Sequence, residues 1–280
     1  MRNISSGKIT SAVKKLCMDA NYFLGDDVVG VIRKSLDKEE SPLGKEILNQ
    51  ILENAEIAKN EQMPLCQDTG LTAVFVELGS DIHIDGATLE AAVQEGIRQG
   101  YGDGYLRKSM VEDPLRRKNT GDNTPGVISI NIVEGDKIKI TILPKGGGSE
   151  NMSAIKMLKP SDGEDGVKDF VVETVRVAGG NPCPPIIVGV GIGGSFDKSA
   201  YLAKKSLLRK LGSVHSDPYY AEMEKELLER INNTGIGPQG LGGRITALAV
   251  HIETHPCHIA SLPVAVNTQC HSARHKEVII

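Results

Sequence analysis

The 280-residue chain predicts an α/β protein, with a helical N-terminal part followed by a mixed-sheet α/β domain and not a Rossmann fold. Three observations lead there. Apolar residues recur every three to four positions through the first sixty residues, the spacing of amphipathic helices. Beyond them, short strand-like runs alternate with helical ones. Residues 127–132 and 137–143 each alternate in polarity and are joined by Glu134-Gly135-Asp136, which predicts an antiparallel hairpin. One domain over 1–280 is expected, with the helical segment 1–62 packed on it.

Taken in order, Ile9, Val13, Leu16, Cys17 and Ala20 share one face of a first helix, which makes Cys17 an inert core thiol. Val28, Val29, Ile32 and Leu36 mark a second helix, and Ile47, Ile51 and Ala55 a third over residues 43–59. The third leads into Pro64-Leu65-Cys66-Gln67-Asp68-Thr69-Gly70, a polar turn, and a strand over 71–78 leaves it. A helix near 88–100 precedes a polar segment, 101–123, with basic groups at Arg107-Lys108 and Arg116-Arg117-Lys118. After the expected hairpin come Lys145-Gly146-Gly147-Gly148-Ser149, a helix over 167–177, and Cys183 fixed between Pro182 and Pro184. A buried strand over 186–190, helices over 197–211 and 218–231, and strands over 245–252 and 259–266 complete the chain.

Composition excludes several classes. Hydrophobic residues at 40% and charged residues at 24% are ordinary for a globular protein, and a net charge of -4 gives no reason to expect nucleic acid or an acidic membrane surface. The absence of Trp and an aromatic content of 4% argue against base-stacking surfaces. No apolar run reaches membrane-spanning length and the first residues lack a signal-peptide core, so a cytoplasmic protein is expected. Five cysteines, with no Cys-x-x-Cys pair, point to buried, catalytic or metal-binding thiols. Gly189, Gly191 and Gly194 match the dinucleotide fingerprint in spacing, but no second strand ending in an acidic residue follows. Tight packing or an anion at a helix N-terminus explains these glycines better.

Cys66, Cys183 and Cys270 lie in non-repetitive stretches beside Pro or Gly, where thiolates suit a soft metal or an iron–sulfur cluster, although their spacing matches no short rule. The motifs around them form an ordered series. It runs from Leu65-Cys66-Gln67-Asp68-Thr69-Gly70 through Lys145-Gly146-Gly147-Gly148-Ser149, Asn181-Pro182-Cys183-Pro184-Pro185 and Gly189-Val190-Gly191-Ile192-Gly193-Gly194. It continues with Ile236-Gly237-Pro238-Gln239-Gly240-Leu241-Gly242-Gly243, the run from His258 to Asn267, and Gln269-Cys270-His271. From about Ile9 onward, this series resembles the class I, iron–sulfur-dependent fumarate hydratases and the related L-tartrate dehydratases.

The resemblance implies a [4Fe-4S] cluster on Cys66, Cys183 and Cys270, with one iron left open to the substrate. It places Gln67, Arg107, Gly147 and Gly148 against the substrate and His258 in the active site; Cys257 has no counterpart. Of the groups visible here, Asp68 and His258 are the candidates for proton handling, and Arg107 suits a carboxylate clamp through its forked guanidinium. The chain looks like a free-standing alpha subunit, which implies a beta subunit as partner and an alpha2beta2 assembly. The glycine loop and the third-cysteine loop look like fumarase versions, so hydration of fumarate to (S)-malate is expected, with L-tartrate dehydration as the alternative. A nucleotide-binding oxidoreductase and a non-catalytic subunit with structural cysteines are the rival classes.

Overall fold

A computed structural model describes residues 1–280. In chain order the elements are β1 (Arg2–Ser5), α1 (Ser6–Tyr22), α2 (Asp26–Lys38), α3 (Pro42–Glu61), β2 (Leu71–Gly79), β3 (Ile82–Asp85), α4 (Leu89–Asp103), β4 (Val127–Val133), β5 (Ile138–Lys145) and α5 (Gly147–Glu150). They continue with β6 (Ala154–Leu158), α6 (Gly163–Ala178), β7 (Ile186–Gly193), α7 (Phe196–Ser206), α8 (Pro218–Asn232), β8 (Ala247–His255), β9 (Leu262–Gln269) and β10 (Lys276–Ile279). No helix is long and apolar enough to cross a membrane. The chain divides into two compact units, each with its own core. The first comprises Met1–Leu24, Ala55–Gly147 and Arg274–Ile280, and the second comprises Gly25–Asn54 and Gly148–Ala273. The N-terminal helices are accordingly shared out: α1 belongs to the first body, α2 to the second, and α3 supplies residues to both.

In the first body, a four-stranded sheet in the order β10-β5-β2-β4 is covered on one face by α1 and α4. Val74, Val76, Ile138, Ile140 and Ile142 from the sheet meet Ile9, Val13, Leu16 and Cys17 of α1 and Val93 and Ile97 of α4 in one core. The helices touch closely because Gly96 and Gly100 present no side chain: a Cβ at Gly96 would lie 2.6 Å from the Val13 Cβ. Cys17 is fully buried there, and burial pushes its thiol up, so it stays protonated as expected. The expected hairpin does not form. β2 lies between the two runs, parallel to β4 and antiparallel to β5, and the connection passes around its end through Gly79 N–H to Lys137 O and Ser80 N–H to Val133 O. The reason is burial. Residues 72–76 of β2 are buried on both faces, which demands a central position, and the turn at 134–137 is long enough to step across one strand.

In the second body, a mixed sheet in the order β6-β9-β7-β8 carries helices on both faces. β7 is parallel to β8 and antiparallel to β9. Ile186, Val188 and Val190 pack with Val167, Val171 and Val175 of α6 and with Met223, Leu227 and Ile231 of α8. The opposite face of β7 presents Gly189 and Gly191 to α7, where added Cβ atoms would lie 2.1 Å from the carbonyl oxygens of Ala203 and Ser199 respectively. These two fingerprint glycines therefore serve close helix-on-strand packing. The glycine loop at 235–243 is anchored by Glu39, a buried carboxylate that accepts the N–H groups of Glu40, Ser41, Arg244 and Ile245. Burial alone would raise its pKa; the four N–H groups outweigh that, and the net shift is downward.

Gly191→Ala is expected to lower the urea-unfolding free energy by about 2 kcal/mol or more, because Ser199 O leaves no room for a methyl group. Glu39→Gln is expected to cost about 1–3 kcal/mol at pH 7. Its folded pKa is depressed, so the carboxylate's contribution is complete above the unfolded value near ~4.3 and is lost as pH falls through the folded value. Urea midpoints of wild type and Glu39→Gln should therefore draw together as pH falls below the unfolded value near ~4.3.

Candidate functional site

The loop from Cys66 to Gly70 leaves α3 and enters β2 without a strand or helix partner of its own. Ahead of it, Leu65 packs on Ala55 and Ala58, and its N–H bonds to Asn21 O at 2.9 Å. The backbone carbonyls of the loop are held by side chains instead. The buried Tyr101 hydroxyl donates to Thr69 O at 2.8 Å and Gly70 O at 3.2 Å, and burial pushes that hydroxyl up so that it remains a donor. Asn123 adds Nδ2 to Gly70 O at 3.2 Å while its Oδ1 accepts the Ser109 N–H at 2.7 Å. Arg274 donates Nη2 to Asp68 O. Gly70 has φ +74°, and a Cβ there would stand 2.7 Å from the Lys145 backbone, so only glycine fits the approach of β5.

This scaffold leaves Cys66 and Gln67 exposed and Asp68 half-buried. Each Asp68 carboxylate oxygen takes one backbone N–H, Gly70 at 2.9 Å and Gly147 at 2.8 Å, so the carboxylate has a fixed orientation. The exposed Arg107 guanidinium donates to Gln67 Oε1 at 2.6 Å, while its carbonyl accepts from Thr69 Oγ1 at 2.9 Å. Cys66, Gln67, Asp68, Arg107 and Gly147 thus stand together. Two cations lie beneath them: Lys145 is fully buried and Arg274 is 1% exposed. The Nε and Nη1 groups of Arg274 have no hydrogen-bond partner. A buried guanidinium is costly unless a negative charge or acceptor compensates it.

In the second body, Gly148, Cys183 and Cys270 form another group. Cys183 holds φ +57°, an uncommon and strained backbone for a residue with a side chain, and it is exposed. Its carbonyl lies 3.0 Å from His271 Nδ1 and accepts the His271 N–H at 3.4 Å, which brings the Cys270 stretch alongside. Gln239, also at positive φ, spans Pro184 O at 3.0 Å and His271 Nδ1 at 3.2 Å. Gly148 stands with its Cβ position 3.2 Å from Asn181 O, and the next residues tie α5 to β9: Thr268 Oγ1 donates to Ser149 O at 2.8 Å and Asn267 Nδ2 to Glu150 at 3.1 Å.

His258 stands apart. It lies in the exposed turn between β8 and β9, where its Nδ1 accepts the Ala260 N–H at 3.1 Å. The antiparallel pairing of β9 with β7 puts that turn at the end of the sheet opposite Cys183 and Cys270. Eight residues of β9 separate them, about 24 Å of extended chain. The neighbouring Cys257 donates to Ser261 O at 3.3 Å within the same turn. Sequence reasoning did not single out Tyr101, Asn123, Gln239, His271 or Arg274. His271 and Gln239 lay inside quoted motifs, but nothing in the chain order marks Tyr101 or Asn123 as partners of a loop thirty to fifty residues away.

Within the first body, a carboxylate oriented by backbone amides thus stands in one loop with an exposed thiol and an amide held by a guanidinium. Comparison with known proteins specifies the class. The sequence profile described as fumarate hydratase (fumerase) matches residues 10–279. A chain of Methanocaldococcus jannaschii, provisionally named L(+)-tartrate dehydratase subunit alpha, is 47% identical over 274 residues, covering 95% of each chain. L(+)-tartrate dehydratase subunit alpha of Escherichia coli (strain K12) is 36% identical over 276 residues, 98% of this chain and 91% of its own. The protein of the same name from Shigella sonnei (strain Ss046) matches to the same extent. The chain belongs to the fumarate hydratase family and is a hydro-lyase.

Tyr101→Phe removes the donor to two loop carbonyls without changing volume. It is expected to lower stability by about 1–3 kcal/mol, read from urea midpoints, because Thr69 O and Gly70 O lose a buried partner.

Proposed function

We propose that this chain is the alpha subunit of a two-chain iron–sulfur hydro-lyase that reversibly hydrates fumarate to (S)-malate. The observation that carries the reading is the loop 66–70, which presents a thiol, an amide and a fixed carboxylate beside Arg107 and above two buried cations. Cys66, Cys183 and Cys270 are the proposed thiolate ligands of a [4Fe-4S] cluster. The donor chemistry fits: all three are reachable thiols on turns, whereas Cys17 is sealed in a core. Soft thiolates of this kind suit an iron–sulfur cluster. Bound there, a cluster with three protein ligands would supply a Lewis-acidic iron to polarise the substrate hydroxyl.

The remaining work falls to the chain's own residues. Arg107 offers a forked pair of donors to a substrate carboxylate, and Gln67, its partner at 2.6 Å, sets the direction of the fork. Gly147 and Gly148 expose backbone without side chains. Asp68 is the proposed group that takes and returns the proton on the carbon adjacent to the one that bears the leaving hydroxyl. Its two anchoring N–H bonds leave lone pairs on both oxygens for that transfer. His258, carried about 24 Å along β9 from Cys270, does not reach a substrate at Cys270 of its own chain. We assign it to a site on a neighbouring chain of the assembly. The names of the relatives, each a subunit alpha, support a beta subunit that supplies further groups. A reducing, cytoplasmic setting suits free thiols of this kind.

L-Tartrate dehydration is the second reading, favoured by the relatives' names. Turnover by the anaerobically reconstituted pair separates the two. The expected result is a kcat/KM for (S)-malate at least about 100-fold above that for L-tartrate, a difference of some 2.7 kcal/mol in transition-state binding. The reverse preference establishes the second reading, and no turnover of either by the iron-loaded pair overturns both. Asp68→Asn is expected to lower kcat by about 10²–10⁴-fold with iron content unchanged; full turnover in that variant sinks its assignment.

A further inference from the structure

β4 ends its sheet, and of the four edge strands in the two four-stranded sheets it is the one without a charged residue. β10 carries Lys276 and Glu277, β6 carries Lys156, and β8 carries Glu253. Edges are ordinarily blunted by charge, proline or bulges, because a free edge templates pairing with another strand. β4 has none of these across Val127-Ile128-Ser129-Ile130-Asn131-Ile132-Val133. Its apolar side chains stand in solvent: Val127 is 53%, Ile130 49% and Ile132 76% exposed. Ile128, on the same face as Ile130 and Ile132, packs against the core beneath α1 and α4, so the exposed pair extends that core outward.

The pattern of apolar and polar residues along β4 reads alike in both directions. An antiparallel partner of the same sequence centred on Ile130 would set Val127 against Val133, Ile128 against Ile132, Ser129 against Asn131, and Ile130 against itself. Every apolar residue then meets an apolar one, and the two polar residues meet each other. A two-fold symmetric interface requires this self-complementarity, since the same patch serves on both sides; pairing with an unrelated chain does not. A one-residue slip of the antiparallel pair destroys the match, setting Ser129 against Ile132 and Ile130 against Asn131.

We propose that β4 is a homodimerisation edge, on which a second copy of this chain pairs antiparallel about Ile130 to join two four-stranded sheets into one of eight strands. On one face the Ile128, Ile130 and Ile132 side chains of both copies merge into a stripe continuous with the two cores. Seven residues a side is a small contact, so the dimer formed by this edge alone is expected at micromolar concentration. The inference stands on β4 alone and does not depend on the substrate or cluster assigned above.

Sedimentation velocity of the full 280-residue chain from 1 to 100 μM, alone and with its partner chain, tests it. A concentration-dependent dimer is expected, and Ile132→Asp, at a site already exposed, should weaken it at least ~30-fold with an unchanged melting curve. Ile130→Cys supplies a register test that needs no loss of function. Opposed Cα atoms in such a pair lie about 4.5–5.5 Å apart, within disulfide reach. Mild oxidation should therefore give a reducible dimer joined at residue 130, identified by peptide mass, whereas Ile128→Cys should not join to itself. A chain that stays monomeric at 100 μM, a dimer indifferent to Ile132→Asp, or a variant that loses only the partner chain overturns the proposal. The last outcome assigns the edge to the partner instead.

Discussion

A loop that presents chemistry cannot also satisfy its own backbone, and this constraint shapes the first body. Between Cys66 and Gly70 no ladder or helical bond is available, yet Thr69 and Gly70 are buried. The carbonyls are bonded instead by Tyr101 from α4, by Asn123 from the approach to β4, and by Arg274 from the segment ahead of β10. Three distant pieces of chain therefore converge on one turn. The same arrangement frees the carboxylate of Asp68 from packing duty and lets backbone N–H groups aim it. Buried cations under an exposed acidic loop are expensive in a stability sense. They are intelligible where negative groups must gather.

The second body solves the same problem with glycine and strain. Close packing of α7 on Gly189 and Gly191 fixes β7, and β7 in turn sets the register of β9. That register delivers Cys270 and His271 beside Cys183, whose left-handed backbone is held by the Gly180 carbonyl, the flanking prolines and Gln239. The cost of the Cys183 conformation, of order 1–3 kcal/mol, is the kind of strain that surrounding structure tolerates at a working residue. The same strand also carries His258 away from Cys270, so one chain's geometry separates residues that the sequence motif joins.

Much of this was legible from the sequence because local chemistry agreed with the fold. The three N-terminal helices, the buried stripe containing Cys17, the strand after Gly70 and the closing strands all follow from periodicity and turn residues. The short strands β1, β3, β6 and β10 were missed, since four or five residues of half-buried chain carry little pattern. The expected hairpin failed because turn chemistry reports that two strands reverse direction and says nothing about a third strand lying between them. The two compact units left no signal in the sequence, because the chain passes between them four times and shows no linker. The thiols, Asp68 and Arg107 were visible as motifs. The residues that hold their loop were not, because a buried Tyr or Arg reads as ordinary until its partner is known.

Metal content of the anaerobically isolated enzyme tests the central claim most directly. The account predicts about four irons and about four sulfides per chain in the wild type. Separate Ser replacements of Cys66, Cys183 and Cys270 should each strip the cluster, while Cys17→Ser and Cys257→Ser keep it. Full iron and sulfide in a chain lacking all three of Cys66, Cys183 and Cys270 would contradict it.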